Sequence, residues 1–225
     1  MKNKLILAIL SVFSLSFTGC FIGKCTEGDC KNGTGTYLYH NGNKYEGQFK
    51  HYMINGTGTF TIKSGKWKGC RYTGEWKNNR ITGKGTFYYA SGDVYTGQFK
   101  KNKLNGAGNY TYINGNSYDG TFVKNKCNGT GTFTYADGEY KGGSYTGEWK
   151  NNKKHGTGTF LYADGKKYEG QFNNNVIQGK GAMFFADGSK YEGEWKNNKM
   201  NGTGTYTHTN GTIVSGIWEN NEFIK

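Results

Sequence analysis

The pair Gly-x-Gly returns along this chain at Gly33, Gly56, Gly83, Gly106, Gly129, Gly156, Gly179 and Gly202, always 23 or 27 residues after the last. A fixed period of this length means that one short supersecondary unit is copied along the chain, and that each copy buries its apolar side against its neighbours. A second motif, Tyr-x-Gly-x-Phe/Trp, keeps step with the first. It starts at Tyr45, Tyr72, Tyr95, Tyr118, Tyr145, Tyr168 and Tyr191, and a worn copy, Val214–Trp218, ends the array. The two longer units gain their extra residues at one place, Lys63–Arg71 and Ala136–Ser144.

Within a unit the pattern has period two. Tyr191-Glu192-Gly193-Glu194-Trp195 alternates apolar or small residues with charged ones, and Gly202–His208 alternates again, so both segments read as strands. Lys196-Asn197-Asn198-Lys199 between them reads as a polar loop. Asn210-Gly211 marks the next turn, as Asp137-Gly138, Asp164-Gly165 and Asp187-Gly188 do at equivalent places. Each unit is therefore a hairpin. The expected fold class is all-β, an elongated single-layer antiparallel sheet of about eight tandem hairpins.

Aliphatic residues are scarce, while the chain holds 18 Tyr, 14 Phe and no proline. Rings must then build the core. Alternation stacks them in columns on one face. The first holds Tyr45, Tyr72, Tyr95, Tyr118, Tyr145, Tyr168 and Tyr191. The second holds Phe49, Trp76, Phe99, Phe122, Trp149, Phe172, Trp195 and Trp218. A third runs from Tyr37 to Tyr206 and a fourth from Tyr39 to His208. Glycines between large rings, such as Gly47 and Gly74, are expected to let the sheet bend.

The chain opens with Lys2 and Lys4, then an apolar run, Leu5–Phe17, too short for a good spanning helix, then Phe17-Thr18-Gly19-Cys20. This start resembles a bacterial lipoprotein signal peptide, although Phe17 stands where such signals more often have Leu. The resemblance implies that residues 1–19 are removed and that Cys20 is lipidated. The protein would then be exported and held by its lipid at a membrane of the bacterial cell envelope, periplasmic or at the surface. A plain secretory signal is the alternative, with Cys20 a free or paired thiol. Export permits disulfides, and Cys25 and Cys30 are close enough in sequence to pair. Cys127 takes the place held elsewhere by Ile54, Ile81, Leu104 and Met200 and reads as a small buried hydrophobe. Residues 20–30 read as a lipid-anchored linker, 31–218 as the repeat array and 219–225 as a tail.

The stretch from Tyr191 to Tyr206, YEGEWKNNKMNGTGTY, closely resembles the MORN repeat, and Tyr168–Gly188 and Tyr145–Gly165 match as well. The resemblance covers about residues 31–218. It implies a twisted, groove-like single sheet of hairpins with non-catalytic roles: scaffolding, oligomerisation, and contact with membranes or partner proteins.

The residues point the same way. The Gly-x-Gly pairs precede strands and never continue into a dinucleotide-binding loop. His40, His51, His155 and His208 fall at unrelated places in different units, so no catalytic constellation, metal site or cofactor is expected. Glu46, Glu75, Glu148, Glu169 and Glu192 are expected to line the outward face. The formal net charge is +13, and basic residues gather in the loops after the Phe/Trp column, including Lys50, Lys77, Arg80, Lys124, Lys126, Lys196 and Lys199. Lys100, Lys101, Lys103, Lys150, Lys153 and Lys154 form the candidate anion-binding edge. Such an edge either meets anionic lipid headgroups or an acidic polymer, or serves as a solvated rim. Nucleic acid is not expected for an exported protein. The function expected is a membrane-anchored scaffold or interaction module with an unknown protein partner. The alternative is a binder of envelope glycans or anionic lipids through the basic edge or an aromatic groove. The tail, with Phe223 and Ile224, either caps the last hairpin or meets a second copy, so monomer and end-to-end homodimer both stay open.

Overall fold

The computed structural model describes residues 22–225; the expected signal segment and Cys20 lie outside them. The strands are β1 (Gly23–Gly28), β2 (Thr34–Tyr39), β3 (Lys44–Lys50), β4 (Met53–Thr61), β5 (Arg71–Lys77), β6 (Arg80–Tyr88), β7 (Val94–Lys100), β8 (Lys103–Thr111) and β9 (Ser117–Val123). They continue as β10 (Lys126–Thr134), β11 (Ser144–Lys150), β12 (Lys153–Leu161), β13 (Lys167–Asn173), β14 (Val176–Phe184), β15 (Lys190–Lys196), β16 (Lys199–Thr207), β17 (Ile213–Glu219) and β18 (Glu222–Phe223). One short 3-10 helix, Gly65–Trp67, sits in the first of the two long connections.

The chain divides into two compact units, one of residues up to Ile113 with Thr121–Lys126, the other of Asn114–Gly120 with Cys127–Lys225. In the first, β1 to β8 pair antiparallel with their chain neighbours. In the second, β10 to β18 do the same. Within the stretch 20–30, expected as a linker, Gly23–Gly28 form a strand, and a disulfide joins Cys25 in it to Cys30 just after it.

The polar loops after the Phe/Trp column are two-residue turns. Asn78 and Asn79 have φ of 49° and 63°, Asn197 and Asn198 have 52° and 65°, and the other turns of this kind match. Two successive left-handed residues make the turn whose twist suits a hairpin, and asparagine tolerates that conformation better than other residues with a Cβ. The opposite turns are looser. Gly165, with φ of 87°, closes one by donating to Tyr162 O, and Tyr162 N donates to Lys166 O.

Each unit carries a β-bulge beside its central glycine, for example between Gly47 and Phe49 and between Gly74 and Trp76. A bulge leaves a backbone donor unpaired. The side chain on the bulged residue fills that need: Gln48 Oε1 accepts from Thr57 N at 2.7 Å, Glu75 Oε1 from Lys84 N at 2.7 Å, and Glu148 Oε1 from Thr157 N at 2.8 Å. Glu75 and Glu148 thus work as backbone caps, and the hydrogen bonds from Thr157 hold the Glu148 carboxyl below its usual range. Glu46, Glu169 and Glu192 pair instead with Lys44, Lys167 and Lys190, at 2.8, 2.9 and 2.6 Å.

Tyr45, Tyr72, Tyr95, Tyr118, Tyr145, Tyr168 and Tyr191 are fully buried, and the Phe/Trp column packs with them. The glycines do more than permit a bend. The Tyr45 ring lies over the paired glycines Gly47 and Gly58, and a Cβ on Gly58 would strike its hydroxyl and Cζ. That hydroxyl donates to Gln48 O at 3.1 Å, as Tyr95 does to Gln98 O at 2.9 Å and Tyr145 to Glu148 O at 2.9 Å. The indoles tie successive repeats: Trp76 Nε1 donates to Gly58 O at 3.2 Å and Trp195 Nε1 to Gly181 O at 3.0 Å. Ring contacts add about 0.5–1.5 kcal/mol each beyond area burial. The fourth column thins out: Ile62, Tyr89 and Tyr135 are buried, and His208 is exposed.

Candidate anion-binding edge

Four of the tight turns are bracketed by cross-strand pairs that are basic on both sides, whereas the turn after β13 has Asn173 facing Val176 and the one after β17 has Glu219 facing Glu222. In the first unit Lys77 faces Arg80 and Lys100 faces Lys103. In the second Lys150 faces Lys153 and Lys196 faces Lys199. Successive turns are fastened at one edge because the second turn residue clips to the strand of the preceding hairpin. Asn102 N donates to Ile81 O at 3.0 Å, and Ile81 N donates to Asn102 Oδ1 at 2.7 Å.

Stacking the turns brings like charges together. A cleft of about 560 Å³ lies between two successive turns of the first unit, lined by Lys77, Asn78, Arg80, Thr82, Lys100 and Lys101. It holds four cations and no acid. The ion pairs Lys44–Glu46, Lys166–Asp164, Lys167–Glu169 and Lys190–Glu192 do not draw on this cleft. Uncompensated charge of one sign lining a cleft concentrates the field there and attracts anions.

Of the residues expected at the edge, Lys100, Lys101 and Lys103 are exposed together in the first unit, and Lys150 and Lys153 in the second. Lys154 is a correction. It is 8% exposed, opposite Trp149, in the column of Ile54, Ile81, Leu104 and Ile177. The alternation of the strand turns Lys154 inward one residue after Lys153. Its Nζ lies 4.3 Å from the Phe160 ring centre and 5.5 Å from that of Tyr145. Burial pulls its pKa down to about 8. Arg80 and Lys77 complete the cleft. Their signal was in the sequence, since Lys77-Asn78-Asn79-Arg80 repeats the spacing of Lys196-Asn197-Asn198-Lys199. The expected aromatic residues are core. Cys127 is a buried free thiol, as is Cys70. Among the described residues no group of three or more His, Cys, Asp or Glu is placed to hold a metal ion.

A family model described as MORN repeat matches residues 31–44, 45–67, 72–94, 95–117, 118–140, 145–167, 168–190 and 191–213. No curated protein matches the chain. Among solved structures, the TCP domain of Drosophila melanogaster SAS-4 (dCPAP), complexed with a proline-rich motif of Ana2, is 11% identical with a TM-score of 0.37, covering 93% of this chain and 99% of that one. The TCP10 domain of Danio rerio CPAP, complexed with a STIL peptide, is 13% identical with a TM-score of 0.29, covering 87% and 83%. Virginiamycin B lyase from Staphylococcus aureus is 8% identical with a TM-score of 0.19, covering 88% of each chain. At such scores the ligands and activities of those proteins do not transfer. The eight matched repeats decide the matter: the chain belongs to the MORN repeat family, whose repeats commonly serve as membrane- or protein-interaction modules.

Proposed function

We propose that this protein is a non-catalytic interaction module of a bacterial cell envelope, tethered through lipid on Cys20, and that its basic turn edge is the surface that meets anionic groups. The observation that carries the edge reading is the cleft of Lys77, Arg80, Lys100 and Lys101, which gathers four cations around about 560 Å³ with no acid among its lining residues. Lysine and arginine near an anionic membrane surface are worth about 1 kcal/mol each. A tether keeps such weak contacts at high local concentration.

The test separates tether from edge. Metabolic labelling with palmitate should mark the chain and fail to mark Cys20→Ala. The Cys20→Ala chain should still sediment with phosphatidylglycerol vesicles at low salt, let go at high salt, and ignore phosphatidylcholine vesicles. Equal binding to both vesicles, or to neither, would overturn the edge reading. The second reading is a scaffold for a protein partner, which the family's common use supports; a stoichiometric partner crosslinked in native membranes would favour it.

A further inference from the structure

The chain enters the first unit at one particular edge of the sheet. Ile22 O accepts from His40 N at 2.9 Å, and Gly23 pairs with Tyr39, so β1 starts beside the turn 40–43. Where antiparallel strands follow one another, every second connection falls on the same edge; here these are the turns 40–43, 62–70 and 89–93, and then Ile113. They touch directly. Asn43 Oδ1 accepts from Lys63 N at 2.8 Å, a Cβ on Gly69 would stand 3.1 Å from Ala90 Cβ, and Asp93 Oδ1 accepts from Ile113 N at 2.9 Å. The basic cleft lies at the opposite edge. β5 runs from Arg71 at the first edge to Lys77 in the cleft, seven residues, which is about 20 Å. Two peptide links join Ile22 to Cys20, a reach of at most about 8 Å. Lipid on Cys20 would therefore enter a membrane beside the first edge and not beside the cleft.

The first edge carries the residue types that suit a lipid surface. Ile22 and Ile113 are 56% and 71% exposed. Between them stands the insertion 63–70, which holds Lys63, Lys66, Trp67 and Lys68 and no acid. Asp93, the acid among these turns, is taken up by Ile113 N and by the Tyr110 hydroxyl at 3.0 Å. The counterpart insertion of the second unit, 136–143, shows what the backbone alone requires. Lys68 N donates to Gly65 O and Lys141 N to Gly138 O, both at 3.1 Å. Each insertion also lays a ring on the third column, Trp67 on Phe87 at 6.4 Å and Tyr140 on Phe160 at 5.2 Å. The ring thus belongs to the fold. The lysines do not: Ala136 and Glu139 stand where the first unit has Lys63 and Lys66, and Asp137 where it has Ser64. Trp67 is also half-buried, whereas Trp76, Trp149, Trp195 and Trp218 are buried. A half-exposed indole flanked by lysines fits the headgroup layer, where the ring meets acyl chains and the ammonium groups reach phosphate.

We infer that this edge of the first unit seats on the lipid surface that holds the tether, with Trp67 in the headgroup layer and Ile22 and Ile113 to either side of it. The occupant is a lipid surface rather than a protein because the tether brings one to within about 8 Å of Ile22. The inference rests on the reading of Cys20 as lipidated. It also narrows the reading of the basic cleft, which is left about 20 Å from that membrane and so is presented to anionic groups on a facing surface.

The lipidated chain is placed in dilute nanodiscs of equal parts phosphatidylcholine and phosphatidylglycerol, with bromines partway down the acyl chains as quenchers. Tryptophan emission should fall by up to about a fifth, the share of one indole in five. Trp67→Phe, which keeps a ring on Phe87, should abolish that fall and leave the melting temperature unchanged. In the same background Tyr52→Trp puts an indole at an exposed position of the opposite edge, and bromine should not quench it. Lys63→Glu with Lys66→Glu should weaken the quenching of Trp67. In native membranes a photo-crosslinking residue in place of Trp67 should mark lipid. Unquenched emission from a chain that has entered the discs, or quenching of Tyr52→Trp as strong as that of Trp67, overturns the inference and leaves the tether standing. A protein adduct at position 67 would assign the edge to that protein and overturns it too. A chain that does not enter the discs lacks the tether, and the inference falls together with the reading beneath it.

Discussion

Asn79 and Ile54 hold each other by two hydrogen bonds: Ile54 N donates to Asn79 Oδ1 at 2.7 Å, and Asn79 N donates to Ile54 O at 3.0 Å. The clip recurs between Asn102 and Ile81 and between Asn125 and Leu104 in the first unit. In the second it joins Asn152 to Cys127, Asn175 to Lys154, Asn198 to Ile177 and Asn221 to Met200. One residue meets three demands: a left-handed backbone, a short side chain, and an acceptor at its end.

Asn102, which is buried, is the sharpest test. Asn102→Gly keeps the turn but leaves the Ile81 N–H without its acceptor, a loss of about 1–3 kcal/mol. Asn102→Ala adds the left-handed penalty of about 1–2 kcal/mol. Urea unfolding should rank wild type above the glycine variant and the glycine variant above the alanine variant. A glycine variant as stable as wild type would mean that the clip contributes nothing.

Lys154 gives a prediction with a sign. Burial lowers its pKa in the folded chain from 10.5 to about 8, so between those values the unfolded chain binds more protons and stability rises with pH. Below about 8 both states are charged and the folded state carries the whole burden. Lys154→Met should therefore stabilise the protein at pH 7 by about 1–3 kcal/mol, allowing for the ring contacts that partly offset the burial. The advantage should shrink as pH climbs toward 10.5. Thermal melts of both proteins across that window check it, and a gap independent of pH would refute it.

How much of this was legible follows from what alternation can express. The period of two separated Tyr45 and Phe49 from Glu46 and Gln48 without any structure, and the burial agrees. The same rule, carried one residue past the turn, puts Lys154 inside with Ile54 and Ile81, although a lysine beside a polar turn fits a solvated loop equally well. Roles that depend on a second strand were out of reach. Nothing in one repeat says that Glu75 caps Lys84 N or that Asn79 reaches Ile54, because each needs the register across strands. The regular recurrence of asparagine at the second turn position was the available hint.

The tyrosine-over-glycine contact separates two kinds of glycine. A Cβ on Gly85 would strike the Tyr72 ring and hydroxyl, and the backbone there has no room to yield because Gly85 pairs directly with Gly74. Gly211 has open space around it and only a φ of 83° against it. Gly85→Ala should cost about 3 kcal/mol or more through overpacking. Gly211→Ala should cost about 1–2 kcal/mol through backbone strain alone. Calorimetry of the two variants should show the larger fall in melting temperature for Gly85→Ala; equal falls would mean that the phenol ring moves aside easily.

Placement of charge, rather than its sum, decides the proposed membrane contact. Lys77, Lys100 and Lys101 line a cleft without acids, whereas Lys166, Lys167 and Lys190 already sit 2.9, 2.9 and 2.6 Å from Asp164, Glu169 and Glu192. Changing either trio to glutamine removes the same net charge. At about 1 kcal/mol per residue near the surface, the first triple variant should lose roughly a hundredfold in affinity for phosphatidylglycerol vesicles. The second should lose less than about tenfold, because those lysines already share their charge with a carboxylate. Both trios are solvent-facing, so melting temperatures should stay close to wild type and the comparison reads binding alone. If the two variants weaken equally, attraction follows net charge and the turn edge has no special part in it.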